Sequence, residues 1–367
     1  MPVPLRVGID ATPLLGQRTG IGRYVSALLS AFADGPAGRG LELRATAFTV
    51  RGRKELAAAL PAGIPAVGRP VPARLLRQSW SRGGPPSVEL LSGAVDVFHA
   101  TNFVLPPRRR AAGVLTVHDL GFLRVPETLA AANLVYRTLV PRGVREAALT
   151  LTPTETVRQE VIAEFNLDPG RVVVTPLGVD EAWFAPAEPD PSLTGAPYVL
   201  FIGNVEPRKG LPTLLEALRR CPPGAAPRLV VAGPAGWGPE LDTAGVASDV
   251  VRTGFLDDDR LRSLVAGAAA LALPSRYEGF GLPVLEALAG GTPVLASDIP
   301  VLREVGGDHA RYLPVDDVDA WAEALTAAAA ARADHDPAPG IAWARRWTWG
   351  ACAESTASAY RVAASAG

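Results

Sequence analysis

A proline-rich break between Asp180 and Pro197 separates two runs of one pattern, short β-type strands alternating with amphipathic helices. Parallel strands need a crossover, and each crossover helix buries one apolar stripe, so this alternation reads as helix-covered parallel sheet. Before the break, strands are predicted at Leu5–Asp10, Leu43–Val50, Asp96–Thr101, Val114–Asp119, Leu149–Pro153 and Val172–Pro176. Helices fit Gly22–Asp34, Arg74–Ser81, Leu129–Ala148 and Glu155–Phe165, the last with Thr154 as its N-cap. After it, strands Tyr198–Gly203, Leu229–Ala232, Val250–Thr253, Ala270–Pro274 and Val294–Ser297 alternate with helices Pro212–Arg220, Asp258–Ala266 and Pro283–Ala289. The reading is α/β: two Rossmann-like, doubly wound domains facing a central cleft, with ligands at the carboxyl ends of the strands. The domains are placed at 1–185 and 186–345, and 346–367 is a closing helix that packs back on the first. Trp343, Trp347 and Trp349 are expected to anchor the core rather than stack on a ligand.

Composition narrows the class. The 367 residues are 48% hydrophobic and 20% charged, the balance of a globular protein with a sizeable core. Two cysteines, Cys221 and Cys352, make neither a disulfide framework nor a zinc cage. No cleavable signal and no uninterrupted apolar stretch long enough to span a bilayer is found, so a cytoplasmic protein is expected. Residues 1–180 carry 21 Arg and Lys against 14 Asp and Glu, whereas the remainder carries 15 against 23. A basic first half suggests anionic company, a phosphorylated ligand or an anionic lipid surface. Its cations are scattered and not interleaved with aromatics, so nucleic acid is not expected. Only Lys54 and Lys209 are lysines.

The densest chemical signal is the run from Pro274 to Ala287, Pro-Ser-Arg-Tyr-Glu-Gly-Phe-Gly-Leu-Pro-Val-Leu-Glu-Ala. It follows a buried strand and enters a helix with Pro283 near its first turn. Gly279 and Gly281 let the backbone approach a ligand, and free N–H groups at the helix start attract an anion. Glu278 in the loop and Glu286 in the helix are carboxylates that accept two O–H bonds each, suited to a sugar hydroxyl and a ribose.

This stretch resembles the retaining nucleotide-sugar glycosyltransferases of family 4, which have the GT-B fold, and the resemblance extends over nearly the whole chain. Tyr198–Leu211, with Gly203, Arg208 and Lys209, looks like the loop that opens the donor domain, whose Arg and Lys clamp the donor pyrophosphate in the family. The charges agree, Arg208 as a bidentate fork and Lys209 as a point charge. The resemblance implies donor contacts also at Gly20, Gly22, Phe255, Phe280 and Leu282. It makes the first domain the acceptor side, with Thr19-Gly20-Ile21-Gly22-Arg23-Tyr24 entering its first helix. Thr19 stands where the family usually has another glycine. His118 at the edge of the 114–119 strand is implied to contact the transferred sugar. Tyr24, His99 and Asp119 are expected to line the acceptor side, and His309 and His335 to lie on the surface. Val251–Asp257 is similar to the base-binding turn, where Asp257 either reads a guanine edge or caps the next helix. Arg276 is read as structural.

The resemblance implies front-side transfer with retention, the donor phosphate accepting the acceptor's proton, without metal or cofactor. No Asp-x-Asp lies near the cleft, and no paired nucleophile and acid is found. The co-substrate is expected to be GDP-mannose or a UDP-hexose, and the acceptor a saccharide, lipid-linked or small molecule. The alternatives are a sugar-nucleotide epimerase, which needs acid and base carboxylates, and a non-catalytic sugar-nucleotide-binding subunit, which should lack one of His118, Lys209 or Glu278. The basic segment Pro72–Arg82 and Arg108–Arg110 suggest peripheral contact with anionic membrane, unless Leu75, Leu76 and Trp80 belong to the core.

Overall fold

The computed structural model describes residues 3–128, 134–193, 195–237, 242–246, 248–331 and 334–366. It divides into two compact units, one of residues up to 120, 133–178 and 348 onward, the other of 121–132 and 179–347. The division falls at 178/179 rather than at 185/186, and the segment from Gly121 counts with the second unit.

The first unit holds a seven-stranded parallel sheet, among the described residues. Its strands are β1 Leu5–Asp10, β2 Leu41–Thr46, β3 Ala66–Val67, β4 Val97–Ala100, β5 Ala112–Thr116, β6 Leu149–Thr152 and β7 Val172–Val174. Their order is β3-β2-β1-β4-β5-β6-β7. The chain winds outward from β1 on one side and from β4 on the other, so the carboxyl ends of these two strands form the switch point where such sheets bind ligands. Helix Gly20–Asp34 buries Tyr24, Val25, Leu28, Leu29 and Phe32, a stripe at helical spacing. It starts two residues before the expected Gly22. Thr154 caps helix Glu155–Phe165 by accepting from Val157 N at 3.2 Å.

The second unit holds a six-stranded parallel sheet in the order β10-β9-β8-β11-β12-β13. The strands are β8 Tyr198–Ile202, β9 Arg228–Ala232, β10 Val250–Gly254, β11 Ala270–Leu273, β12 Val294–Ser297 and β13 Arg311–Leu313. All five residues of β8 are buried, which explains its unbroken aromatic and β-branched run. Helix Leu211–Arg220 covers the sheet with Leu211, Leu214, Leu215 and Leu218. Full burial of each such leucine contributes roughly 1.5–3 kcal/mol. The switch point lies between β8 and β11, and the two loops richest in chemical signal follow these strands.

The terminal helix Trp349–Ser365 belongs to the first unit. Tyr360 is fully buried, its ring 5.9 Å from Phe32. The tryptophans depart from expectation. Trp321 is the fully buried one, whereas Trp343, Trp347 and Trp349 are half-buried. Trp343 donates to Val305 O at 2.7 Å and Trp347 meets Phe280 edge-on at 5.5 Å, so both pack within the second unit. The first part of the helix predicted at Leu129–Ala148, residues 129–133, lies outside the described residues; Tyr136–Glu146 is helical.

The basic helix Ala73–Trp80 turns Leu76 and Trp80 inward, 2% and 3% exposed, and leaves Leu75 outside. Leu76 and Trp80 are thus spent on the core, and the main-chain N–H groups of Arg109 and Arg110 bond Glu89 at the surface. Among the described residues no helix is long and apolar enough to cross a membrane.

Candidate active site

In the second unit the loops after β8 and β11 meet through charge. Lys209 Nζ donates to Glu278 Oε1 at 2.6 Å, and Ser275 Oγ donates to the same oxygen at 2.7 Å. Arg208 places Nη1 3.4 Å from Glu278 Oε2 and 3.2 Å from Tyr277 O, while its Nε donates to Glu206 Oε2 at 2.9 Å. Glu206 also accepts from Asn204 Nδ2. Glu206 and Glu278 are each 5% exposed. Two cations and two carboxylates thus share a nearly dry loop cluster, where each charge is tolerated only because it is paired. Burial pushes the Glu278 carboxyl up, but the Lys209 and Arg208 charges and the Lys209 and Ser275 hydrogen bonds outweigh it and hold Glu278 below its ordinary value.

Local geometry fixes this cluster. Gly210, at φ +69°, ends the turn Pro207–Lys209 and begins helix Leu211–Arg220, and a Cβ there would stand 2.0 Å from Pro274 O. Gly281, at φ +96°, begins helix Leu282–Ala289 directly after the Glu278 loop. Gly279, Phe280, Gly281 and Leu282 are buried along that turn, and Glu286 is 2% exposed within the helix. Gly203, at φ +150°, closes β8, and a Cβ on Gly233 would meet its carbonyl at 2.1 Å.

The first unit presents His118 two residues beyond β5, not at a strand end as expected. Its Nε2 donates to Thr101 O at 2.8 Å, which leaves Nδ1 as the lone-pair nitrogen of the neutral ring. Tyr24 and Phe103 meet the ring edge-on at 5.1 and 5.6 Å. Burial holds His118 below the ordinary histidine range, against the Thr101 bond and the Asp119 charge.

The chain matches the family model for glycosyltransferase family 4 over residues 18–183 and that for glycosyl transferases group 1 over 196–330. It is 32% identical over 294 residues to the O-antigen chain mannosyltransferase B of Escherichia coli, covering 72% of this chain and 74% of that protein. It belongs to glycosyltransferase family 4. Sucrose-phosphate synthase from Thermosynechococcus elongatus superposes with a TM-score of 0.71 at 17% identity, over 99% of this chain and 100% of that one. The UDP-glucose complex of Anabaena HepE gives 0.67 at 18% identity, over 97% and 98%. Both likenesses show the GT-B fold.

Several residues of the glycosyltransferase sit otherwise than their sequence position suggested. His99, expected on the acceptor side, is 0% exposed, with Nδ1 2.7 Å from Tyr360 Oη and Nε2 2.7 Å from Thr116 Oγ1. Both nitrogens are engaged, so it offers no atom to an acceptor. Tyr24 is 1% exposed, its hydroxyl 3.3 Å from Thr116 Oγ1, and acts through packing on His118. Asp119 is half-buried beside His118. Gly22 is required by packing, since a Cβ would lie 2.7 Å from Pro13 O, whereas Gly20 faces open space. Asp257 caps helix Asp258–Gly267 by accepting from Arg260 N at 2.9 Å, which uses it as a cap rather than as a reader of guanine. Phe255, just past β10, is 45% exposed. Arg276 pairs with Asp316 at 2.9 Å, the structural role expected of it. Glu206 and Ser275 complete the cluster, and the run of polar residues around Arg208 and Glu278 is their only signal in the sequence.

Burial of His99 has a measurable consequence. Its pKa is pushed down to about 3 by burial, with the nearby His118 adding to the effect. The folded value lies below the unfolded one, so its stability contribution is full above about pH 6.5 and is lost as the pH falls toward 3. Asp10, pushed up to about 6 by burial, has the opposite sign and returns stability as the pH falls through 6. Between pH 7 and 5, the wild type should therefore lose about 2 kcal/mol more than His99→Asn, by denaturant unfolding at both values. Parallel pH profiles would mean that His99 is not held neutral.

Proposed function

We propose that this glycosyltransferase moves a hexose, mannose in the first place, from a nucleoside-diphosphate donor to a hydroxyl of a saccharide acceptor, with retention and without a metal. The observation that carries the reading is the Arg208–Lys209–Glu278 cluster at the switch point of the second sheet. A leaving diphosphate needs fixed positive charge in a low-dielectric site. Lys209 has three protons and makes one hydrogen bond among the described residues, to Glu278. In this reading the ammonium keeps that bond as its anchor and turns its other protons to the diphosphate. Arg208 is held from two sides, by Glu206 and the Tyr277 carbonyl, and so is preorganised. The start of helix Leu282–Ala289, which lacks acidic residues in its first turn, adds donors for the same anion. His118 serves the transferred sugar as a neutral ring, with the orientation set by Thr101. Mannose is supported by the name of the Escherichia coli relative, and GDP by that sugar's usual activation; the cap role of Asp257 removes one physical argument for guanine.

The test is release of GDP or UDP from a panel of nucleotide sugars, with calorimetry of the bare nucleotides. A preference for GDP-mannose and for GDP over UDP is expected. Equal affinity for both nucleotides, or turnover confined to UDP-sugars, overturns the donor.

The two glutamates separate sugar from nucleotide. Glu278→Gln keeps an oxygen for Lys209 but loses the carboxylate proposed to hold the transferred sugar, so turnover should fall at least tenfold with a smaller change in bare-nucleotide affinity. Glu286→Ala should do the reverse, because its partner is the ribose. Identical responses of the two variants to bare nucleotide would reject this division.

A further inference from the structure

Asp10 ends β1 at the switch point of the first sheet and is buried there. Glu206 and Glu278, similarly buried, are held by Arg208 and Lys209, whereas Asp10 makes no ion pair among the described residues. Its side-chain hydrogen bonds come from Thr12, whose main-chain N–H and hydroxyl both donate to Oδ1, at 2.9 and 2.6 Å. The Thr12 hydroxyl in turn accepts from Phe48 N at 3.0 Å, so its single proton is committed to Asp10. Asp10 Oδ2 receives no hydrogen bond among the described residues, yet it is not one of the polar atoms sealed from solvent. Thr101, just past β4, joins this residue to the histidine. Its Oγ1 donates to Asp10 O at 2.6 Å, and its carbonyl accepts from His118 Nε2 at 2.8 Å. His118 Nδ1, the lone-pair nitrogen, also receives no hydrogen bond and is not sealed from solvent. Asn102 Oδ1, on the same loop, is buried without a donor.

We propose that Asp10 Oδ2 receives a hydrogen bond from a hydroxyl of an uncharged saccharide acceptor. The inference rests on reading the first unit as the acceptor side and adds the residue that holds the substrate there. A buried carboxylate is costly unless its lone pairs are used. Oδ1 is filled by Thr12, so the unmet demand falls on Oδ2. No cation stands beside it, and what answers it is therefore a neutral donor. Asp10, Asn102 and His118 together present acceptor atoms that lack donors, around one loop. A polyol brings several O–H donors to such a place, whereas a phosphate or carboxylate brings only further acceptors and a repelling charge. Burial pushes the Asp10 carboxyl up to about 6, which leaves it mostly ionised at pH 7, and an ionised acceptor makes the stronger hydrogen bond. A purely structural Asp10 would need only its two bonds from Thr12, and an amide oxygen accepts both equally well.

Asp10→Asn separates the two roles, since it keeps an oxygen for both Thr12 donors and puts an NH₂ group where Oδ2 stands. Full-length wild type and variant are assayed with GDP-mannose and UDP-glucose as donors. Methyl α-mannoside, methyl α-glucoside and methyl α-galactoside serve as acceptor probes, and their binding without donor is read by ligand-observed NMR. The KM for the glycoside should rise about tenfold or more in the variant, the loss of one hydrogen bond to a charged group. The donor KM, the bare-nucleotide affinity and the denaturant midpoint should not worsen. An unchanged glycoside KM overturns the proposal. So does a loss of nucleotide affinity or a lower midpoint that accompanies the loss of transfer, because Asp10 is then a structural residue. If the wild type engages none of the three glycosides in either measurement, an uncharged sugar hydroxyl is not the partner and the assignment falls. Absence of nucleotide release from every nucleotide sugar fails the transferase reading instead, and the NMR comparison of the two proteins still decides Asp10.

Discussion

Lys209→Ala should slow sugar transfer by two to three orders of magnitude and weaken the nucleotide sugar, with the folded state retained. Removing one buried charge contact to a leaving diphosphate costs about 2–4 kcal/mol. The side chain is 14% exposed, so solvent replaces little of what is lost. Glu278 keeps Arg208 and Ser275 as partners, which limits the damage to the fold. The informative companion is Lys209→Arg. It preserves charge but exchanges a compact ammonium for a planar fork, in a chain whose cations are otherwise arginine save Lys54. Partial rescue, still at least tenfold below wild type, is the expected result. Steady-state rates with saturating donor separate the two variants; a wild-type rate in Lys209→Ala would end the phosphate-clamp role, and full activity in Lys209→Arg would end the argument from ammonium geometry.

The central strands were legible because burial on both faces writes itself as unbroken apolar runs: Tyr198–Ile202 and Ala270–Leu273 fall within the predicted spans. The edge strands β3 and β13, two and three residues long, are too short for any period to register. Lys209 and Glu278 could be found singly, each beside glycine in a strand-to-helix turn. Their bond could not, because it joins residues 69 apart in sequence, and only strand order brings β8 beside β11. His99 shows the opposite failure. A polar residue at a strand end reads the same whether it faces ligand or core, and what decides is Tyr360, on a helix 261 residues away. The half-buried tryptophans near 343–349 misled for a related reason: a bulky apolar residue predicts contact, not its depth.

Gly210→Ala should damage the enzyme more than its single methyl suggests. An alanine at φ +69° costs roughly 1–2 kcal/mol in the left-handed region alone. Its Cβ would also stand 2.0 Å from the carbonyl oxygen of Pro274, a backbone atom that cannot rotate away. The Arg208–Lys209 turn and the Pro274–Glu278 loop must then separate, although Arg276 N to Arg208 O at 2.8 Å holds them together. The bonds that converge on Glu278 span the same gap and should lengthen with it. A loss of about 3–5 kcal/mol is expected for the two effects together, together with at least a hundredfold fall in transfer measured well below the unfolding midpoint. Gly224→Ala is the control: φ is +78°, and nothing lies within 4 Å of the added carbon. It should show the backbone cost and keep its activity. If the two alanine variants unfold at the same denaturant concentration and transfer sugar equally well, the close crossing at Pro274 does not hold the cluster in place.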